Sequence, residues 1–340
     1  NAEALVNTVN TVGIMGKGIA LQFRQAFPEM YKAYEKACKA GELELGKVHV
    51  FDLGGLTGGA RWVINFPTKK HWRSKSKIKD IEAGLQDLLA TIQRLGIKSI
   101  AIPPLGCGYG GLDWAEVYPL IEAAFAGMDD MDVQIFAPNG APAAKSMPNT
   151  TERPKMTAGR ASLVALMSRY LEGMLDPFVT LLEVHKLMYF MQEAGAHLRL
   201  KYEKKPFGPF ATNLRHVLIH VESHFIEGYG DGEDNPSKPL ELKADAVKEA
   251  KVFLETDHDS QARMNRVSAL IDGFETPYGM ELLSTVHWVM KHEVQDVNDV
   301  QQAIAAVHQW NTRKKQTLKS DHIIAAFHRL NDYEWGKAKH

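Results

Sequence analysis

A lysine at the end of a strand can hold a phosphate, carry a proton or attack an electrophilic carbon. The run Asn65-Phe66-Pro67-Thr68-Lys69-Lys70-His71-Trp72-Arg73 places Lys69 just after an apolar, β-like stretch. Its amine is a nucleophile only when burial or neighbouring cations lower its pKa, and Lys70, Arg73 and Lys75 are such neighbours in sequence. The same residues also fit two solvated lysines on a loop, so the run needs company to mean more. That company is two glycine loops. Val6-Asn7-Thr8-Val9-Asn10-Thr11-Val12-Gly13-Ile14-Met15-Gly16-Lys17-Gly18-Ile19-Ala20 runs from a strand through three glycines into a helix. Pro103-Pro104-Leu105-Gly106-Cys107-Gly108-Tyr109-Gly110-Gly111-Leu112-Asp113-Trp114 repeats the pattern. Glycines let backbone N–H groups approach a phosphate, and a helix N-terminus adds a favourable dipole. Neither loop is a Rossmann or Walker signature. Either alone fits a structural turn; the pair could embrace a diphosphate from both sides.

These loops need a sheet to hold them. Apolar runs at Ala4–Asn7, Lys47–Asp52, Trp62–Phe66, Ser99–Pro103 and Val133–Ala137 read as strands. Helical spacing covers Gly18–Ala40, with Pro28 as a break, then Ile78–Leu95 and Trp114–Phe125. The alternation predicts an α/β three-layer domain over residues 1–140, a mixed, mostly parallel sheet between helices. Ligands in such sheets sit beyond the strand C-terminal ends, where all three constellations fall.

Residues 141–160 lie in a stretch rich in Pro, Ala, Asn and Thr that reads as a linker. From 161 to 340 the pattern is mainly α-helical, with helices expected at Arg160–Leu175, Val179–Gly195, Thr212–Glu227, Lys243–Glu255, Ala262–Phe274, Pro277–Lys291, Asp296–Thr312 and Ser320–Leu330. Lys205–Phe210 reads as a rigid connector and Gly228–Pro239 as an acidic loop. His216, His220 and His224 recur every four residues. They lack the Glu of a zinc-binding H-E-x-x-H and read as ordinary surface or interface histidines. Met156, Met167, Met174, Met188 and Met191 read as core.

The 340 residues suffice for two domains, and 45% apolar with 24% charged residues is a globular composition. Two cysteines, Cys38 and Cys107, make no disulfide framework, and no run of about 18 apolar residues would span a bilayer. With no secretory signal pattern at the start, the expected location is cytoplasmic. The chain opens mid-pattern at Asn1, which suggests that a preceding segment is missing. A net charge of −1 hides an asymmetry: Arg61 to Lys79 carries seven bases and no acid. A basic stripe suits a phosphate backbone, and equally a solvated loop.

Together VNTVN…MGKGIA, NFPTKKHWRSKS and PPLGCGYGGLDW resemble the macrodomain family, and within it the DNA ADP-ribosyl glycohydrolase antitoxins. The resemblance implies ADP-ribose as ligand and product, no separate cofactor and no metal. It implies that Asn7 and Asn10 approach the distal ribose and shape the first loop, and that Gly16, Lys17, Gly18 and Ile19 lie beside the diphosphate. It makes Gly106, Cys107, Gly108, Tyr109 and Gly110 the second phosphate loop, and Lys69 the catalytic residue. Lys69 would attack C1″ or the opened sugar aldehyde as an amine, or position a substrate oxygen as a cation. Eukaryotic relatives carry an Asp where this chain has Gly110; Asp113 is expected to cap the next helix instead. An adenine-binding Asp expected after the family's first strand would precede Asn1. Beside Lys69, residues Lys70, His71, Trp72, Arg73 and Lys75 become candidates to bind ADP-ribosylated DNA, single-stranded and modified on a thymidine base. The second half resembles the antitoxins' C-terminal region, which implies binding to a cognate DNA ADP-ribosyltransferase toxin. Two further readings stand beside this one: a non-catalytic ADP-ribose-binding module, and a purely stoichiometric toxin inhibitor.

Overall fold

The computed structural model describes residues 2–54, 59–140, 142–143, 146–173, 177–296 and 299–336. The chain divides into two units, Asn1–Glu152 and Arg153–His340.

The first unit runs β1 (Ala4–Asn10), α1 (Gly18–Ala26), α2 (Pro28–Lys39), β2 (His49–Asp52), β3 (Trp62–Lys69), α3 (Ile78–Leu95), β4 (Ser99–Ile102), α4 (Trp114–Phe125) and β5 (Asp132–Ile135). The sheet order is β2-β3-β1-β4-β5, with β1 parallel to β3 and β4, β4 parallel to β5, and only β2 antiparallel. This is the expected mixed, mostly parallel sheet. Its apolar side chains form two separate cores. One packs Ile64 and Phe66 of β3 with Ile81, Leu85 and Leu88 of α3. The other packs Val9 and Val63 with Met15, Met30 and Tyr34. Burial on both faces is what parallel strands require. Pro28 does break the long helical stretch: it sits at the start of α2, where its missing N–H costs nothing.

β3 corrects the expectation that the strand ends at Phe66. It continues through Pro67 to Lys69, and a register shift pairs Val9 with Pro67 but Asn10 with Lys69. A bulge is one of the few places an inner strand tolerates proline, and here it carries Lys69 level with the last residue of β1.

The second unit runs α5 (Ala158–Glu172), β6 (Val179–Thr180), α6 (Leu181–Glu193), β7 (Tyr202–Lys205), β8 (Gly208–Ala211), α7 (Leu214–Val221), β9 (Ile226–Glu227), β10 (Pro239–Leu242), α8 (Ala244–Glu255), α9 (His258–Ile271), α10 (Pro277–His292), α11 (Val300–Trp310), α12 (Thr312–Thr317) and α13 (Ser320–Asp332). It is mainly helical, around a core in which Met167, Met188 and Met191 are buried as expected; Met174 lies outside the described residues. α6 starts on a full capping box between Thr180 and Glu183. The expected helix Thr212–Glu227 is only the eight residues of α7. It ends at Val221, so His224 leaves the face shared by His216 and His220. Lys205–Phe210 is not a connector but the turn and second strand of the hairpin β7–β8. Among the described residues, no helix is long and apolar enough to cross a membrane.

Candidate active site

Three loops leave the C-terminal ends of parallel strands in the first unit, and each is built by its own residues. In the first, Asn10 acts as a staple. Its Oδ1 accepts from the backbone of Val12 at 3.1 Å and Ile14 at 3.3 Å, while its Nδ2 donates to the Ile14 carbonyl at 2.6 Å. The Tyr34 hydroxyl braces it from behind by donating to the Asn10 carbonyl at 2.6 Å. Asn7 is fully buried and donates to Asn65 Oδ1 at 2.9 Å, with Met15 Sδ also near its amide. Asn7 therefore shapes the loop from inside the sheet and presents no surface to a ligand. Gly16, Lys17, Gly18 and Ile19 are half-buried where the loop enters α1. α1 begins with no side-chain cap and no acid in its first turn, an arrangement receptive to an anion. α4, after the second loop, differs. The Asp113 side chain caps it by accepting from the Ala115 N–H at 3.0 Å, as the sequence led us to expect.

In the second loop Gly106 and Gly110 are buried, while Gly108 and Tyr109 are exposed and Cys107 is intermediate. Gly110 is a packing requirement: a Cβ there would lie 2.3 Å from both the Gly106 carbonyl oxygen and Ser76 Oγ. No side chain fits without the loop shifting, so a carboxylate at position 110 has no room in this backbone. Ser76, from the turn before α3, had no signal in the sequence. Its N–H donates to the Gly110 carbonyl at 3.0 Å, which ties the β3–α3 turn to the second loop. The Tyr109 ring reaches across to the first loop, its edge 3.4 Å from where a Cβ on Gly18 would stand.

Lys69 sits between the loops. Its Nζ donates to the Tyr109 carbonyl at 3.0 Å, and the side chain is partly buried. Burial, and secondarily the Lys75 charge, push its pKa below the ordinary lysine value. Lys75 folds over the second loop, close enough that its ammonium would stand 2.6 Å from a Cβ on Gly111. Lys70, His71, Trp72, Arg73 and Lys75 are all exposed on the segment after Lys69. The Arg73 guanidinium stacks 4.3 Å from the Trp72 ring centre, with His71 beside it at 5.3 Å. Arg61 does not belong here. It pairs with Asp52 at the far end of β3, about 25 Å away along the strand.

Val12, Ile14, Trp72, Tyr109 and Phe136 are among the exposed large hydrophobic residues of the chain, and all stand at strand ends on this side of the sheet. Phe136, 54% exposed just beyond β5, was missed because it looked like the last residues of a strand. An apolar rim, two glycine loops, an uncapped helix start and a lysine whose pKa is lowered meet on this side of the sheet, an arrangement that can receive an anionic group beside an amine.

Comparison with known proteins places these features in company. The Macro domain family matches residues 6–121. A protein of Thermus aquaticus named DNA ADP-ribosyl glycohydrolase is 44% identical over 329 residues, 96% of this chain and 89% of its own length. One of the same name from Mycobacterium tuberculosis is 43% identical over 346 residues, 97% of this chain and 96% of that protein. A Thermosipho africanus protein named DNA ADP-ribosyl transferase-DNA ADP-ribosyl glycohydrolase fusion protein is 39% identical over 154 residues, 40% of this chain and 38% of that protein.

Proposed function

We propose a substrate, a chemistry and a partner on one premise: the chain belongs to the DNA ADP-ribosyl glycohydrolase family. It removes ADP-ribose from DNA by hydrolysing the N-glycosidic bond between C1″ of the distal ribose and a base, thymidine in our reading. The observation that carries this is Lys69, held by the Tyr109 carbonyl between the two glycine loops with its pKa lowered. The diphosphate lies between the loops at Gly16–Ile19 and Gly106–Gly110, against the start of α1. Lys69 supplies a neutral amine. The C1″–Nζ bond forms as the C1″–base bond breaks, the proton shed by Nζ ends on the departing base, and water then replaces Nζ at C1″. No carboxylate at position 110 takes part.

The DNA strand lies along Lys70, His71, Trp72, Arg73 and Lys75, with Trp72 offered to an unpaired base and the cations to phosphates. The helical unit, residues 161–340 in our division, binds a cytoplasmic DNA ADP-ribosyltransferase toxin. The fusion of both activities in one Thermosipho protein supports that pairing.

The DNA reading is tested with ADP-ribosylated single-stranded DNA and free ADP-ribose in parallel. Lys70→Ala and Arg73→Ala should each weaken DNA binding, flatten its salt dependence by about one unit of slope, and leave ADP-ribose binding alone. If both variants bind DNA as the native protein does, the strand runs elsewhere.

A further inference from the structure

The second unit holds a cavity of about 230 Å³ that the reading above does not use. Its walls are mostly apolar: Leu181 and Leu182 at the start of α6, and Phe207 and Phe210 from the β7–β8 hairpin. Two polar side chains of α6, both 2% exposed, also line it. His185 stacks on Phe210 with ring centres 4.0 Å apart, and its Nδ1 is buried without a hydrogen-bond partner among the described residues. Lys186 donates from Nζ to the Pro209 carbonyl at 2.7 Å, one acceptor for a group with three donors.

A buried ammonium normally has a carboxylate beside it. The nearby candidate, Glu281, is already engaged. Arg313 reaches both its oxygens, at 2.6 and 3.0 Å, and Lys314 donates to it at 2.7 Å. Asp234, on the cavity wall, accepts from the Tyr229 hydroxyl at 2.7 Å. The approach to Lys186 is kept open by Gly208, where a Cβ would stand 3.3 Å from Nζ and 3.0 Å from Thr285 Oγ1, at a φ of +98° that disfavours any side chain.

We propose that this cavity is a binding site for a small carboxylate with an apolar body. The carboxylate pairs with Lys186 and the body packs on Leu181, Leu182 and Phe210. The volume exceeds the roughly 150 Å³ that takes a benzene ring, which leaves room for a ring and one short substituent. Such a ligand would give Lys186 a carboxylate of its own, where Glu281 is shared with Arg313 and Lys314, and cover apolar surface in one step. Every residue lining the site belongs to the second unit.

The test is methyl NMR on the full chain, titrated with benzoate and, separately, with its neutral counterparts benzamide and benzyl alcohol. Benzoate should shift the Leu181 and Leu182 methyl signals saturably, and the neutral probes should bind about tenfold to a hundredfold more weakly, the worth of a charged hydrogen bond. Lys186→Met keeps the side chain's length and should lose the preference for benzoate. Absence of saturable shifts, or equal affinity for benzamide and benzoate in the native protein, would overturn the proposal whether or not the variant folds.

Discussion

Gly110 and Lys69 carry the residue-scale account. Because a Cβ at 110 would stand 2.3 Å from the Gly106 carbonyl and Ser76 Oγ, even alanine must push the second loop open. Gly110→Ala should therefore weaken ADP-ribose binding about tenfold or more and lower the melting temperature, as read by calorimetric titration and thermal melting. Gly110→Asp should lose activity and not gain it; a more active Gly110→Asp would mean that the loop can open to admit a carboxylate. The lowered pKa of Lys69 gives a second handle. If the neutral amine acts, release of ADP-ribose rises with pH up to that lowered pKa and then levels. Lys75→Gln removes a repelling charge, so Lys69 holds its proton more tightly and the rising limb moves to higher pH. A limb that falls with pH would make Lys69 a cation that positions substrate. That Lys69 would meet both glycine loops was legible in sequence, because all three follow strands of one parallel sheet. Ser76 was not, since a serine in a basic run has no signature until the turn brings it to Gly110.

At the scale of elements, the bulge in β3 and the packing of α3 decide where Lys69 stands. Proline usually ends a strand, so Trp62–Phe66 was the natural sequence reading. The bulge beside Val9 and Asn10 is a pairing between strands and cannot be seen in either one. By contrast α3 and α4 read correctly at both ends, with Gly96 in the left-handed conformation after one and the Asp113 cap before the other. In α3, Gly84 lies against the Phe66 ring, and a Cβ there would come within 2.3 Å of it. Gly84→Ala gains about 1 kcal/mol of helix propensity but overpacks a core position at a cost of about 1–3 kcal/mol. We expect a net loss of stability and, because Phe66 precedes Lys69 on the same strand, reduced turnover. Denaturant titration checks the first and a release assay the second; a variant at least as stable as the native protein would show that β3 and α3 separate easily. In the second unit the apolar periodicity of 212–227 ran past the true end of α7. The helix stops where Glu222 turns to ψ 137° and Ser223 takes φ +64°, and the chain then enters β9, which pairs with β10. The β7–β8 hairpin was hidden by Pro206 and Pro209, residues that argue against strands when read alone.

Across the whole molecule, stability should depend on pH through buried groups of the second unit. His185 and His287 are buried and neutral, with pKa values pushed down to about 3. The unfolded chain binds protons at both below about pH 6.5 and the folded chain does not, so acidification removes stability at about 1.4 kcal/mol per pH unit for each. Glu222, whose burial raises its carboxyl to about 7, works the other way between that value and its ordinary 4.5. The net expectation is that the melting temperature of the second unit falls as pH drops below 6.5, with the steepest fall below 4.5. A melting temperature that stays flat from pH 6.5 to 4 would mean that these histidines are solvated. An α/β fold followed by a mainly helical part was visible in the sequence because alternating strands and helices give way to helices after a Pro-rich stretch. The cavity beside Lys186 was not, since Lys186, Glu281 and Lys314 come together only once α6, α10 and α12 are packed.

The most direct test of the central claim pairs two readings on one variant: release of ADP-ribose from ADP-ribosylated single-stranded DNA, and binding of free ADP-ribose, for the native protein and Lys69→Ala. The account predicts rapid release by the native protein, release lost by at least about a hundredfold in Lys69→Ala, the scale expected when a catalytic group is removed, and ADP-ribose binding retained. Undiminished release by Lys69→Ala, or none from a native protein that still binds ADP-ribose, would contradict it.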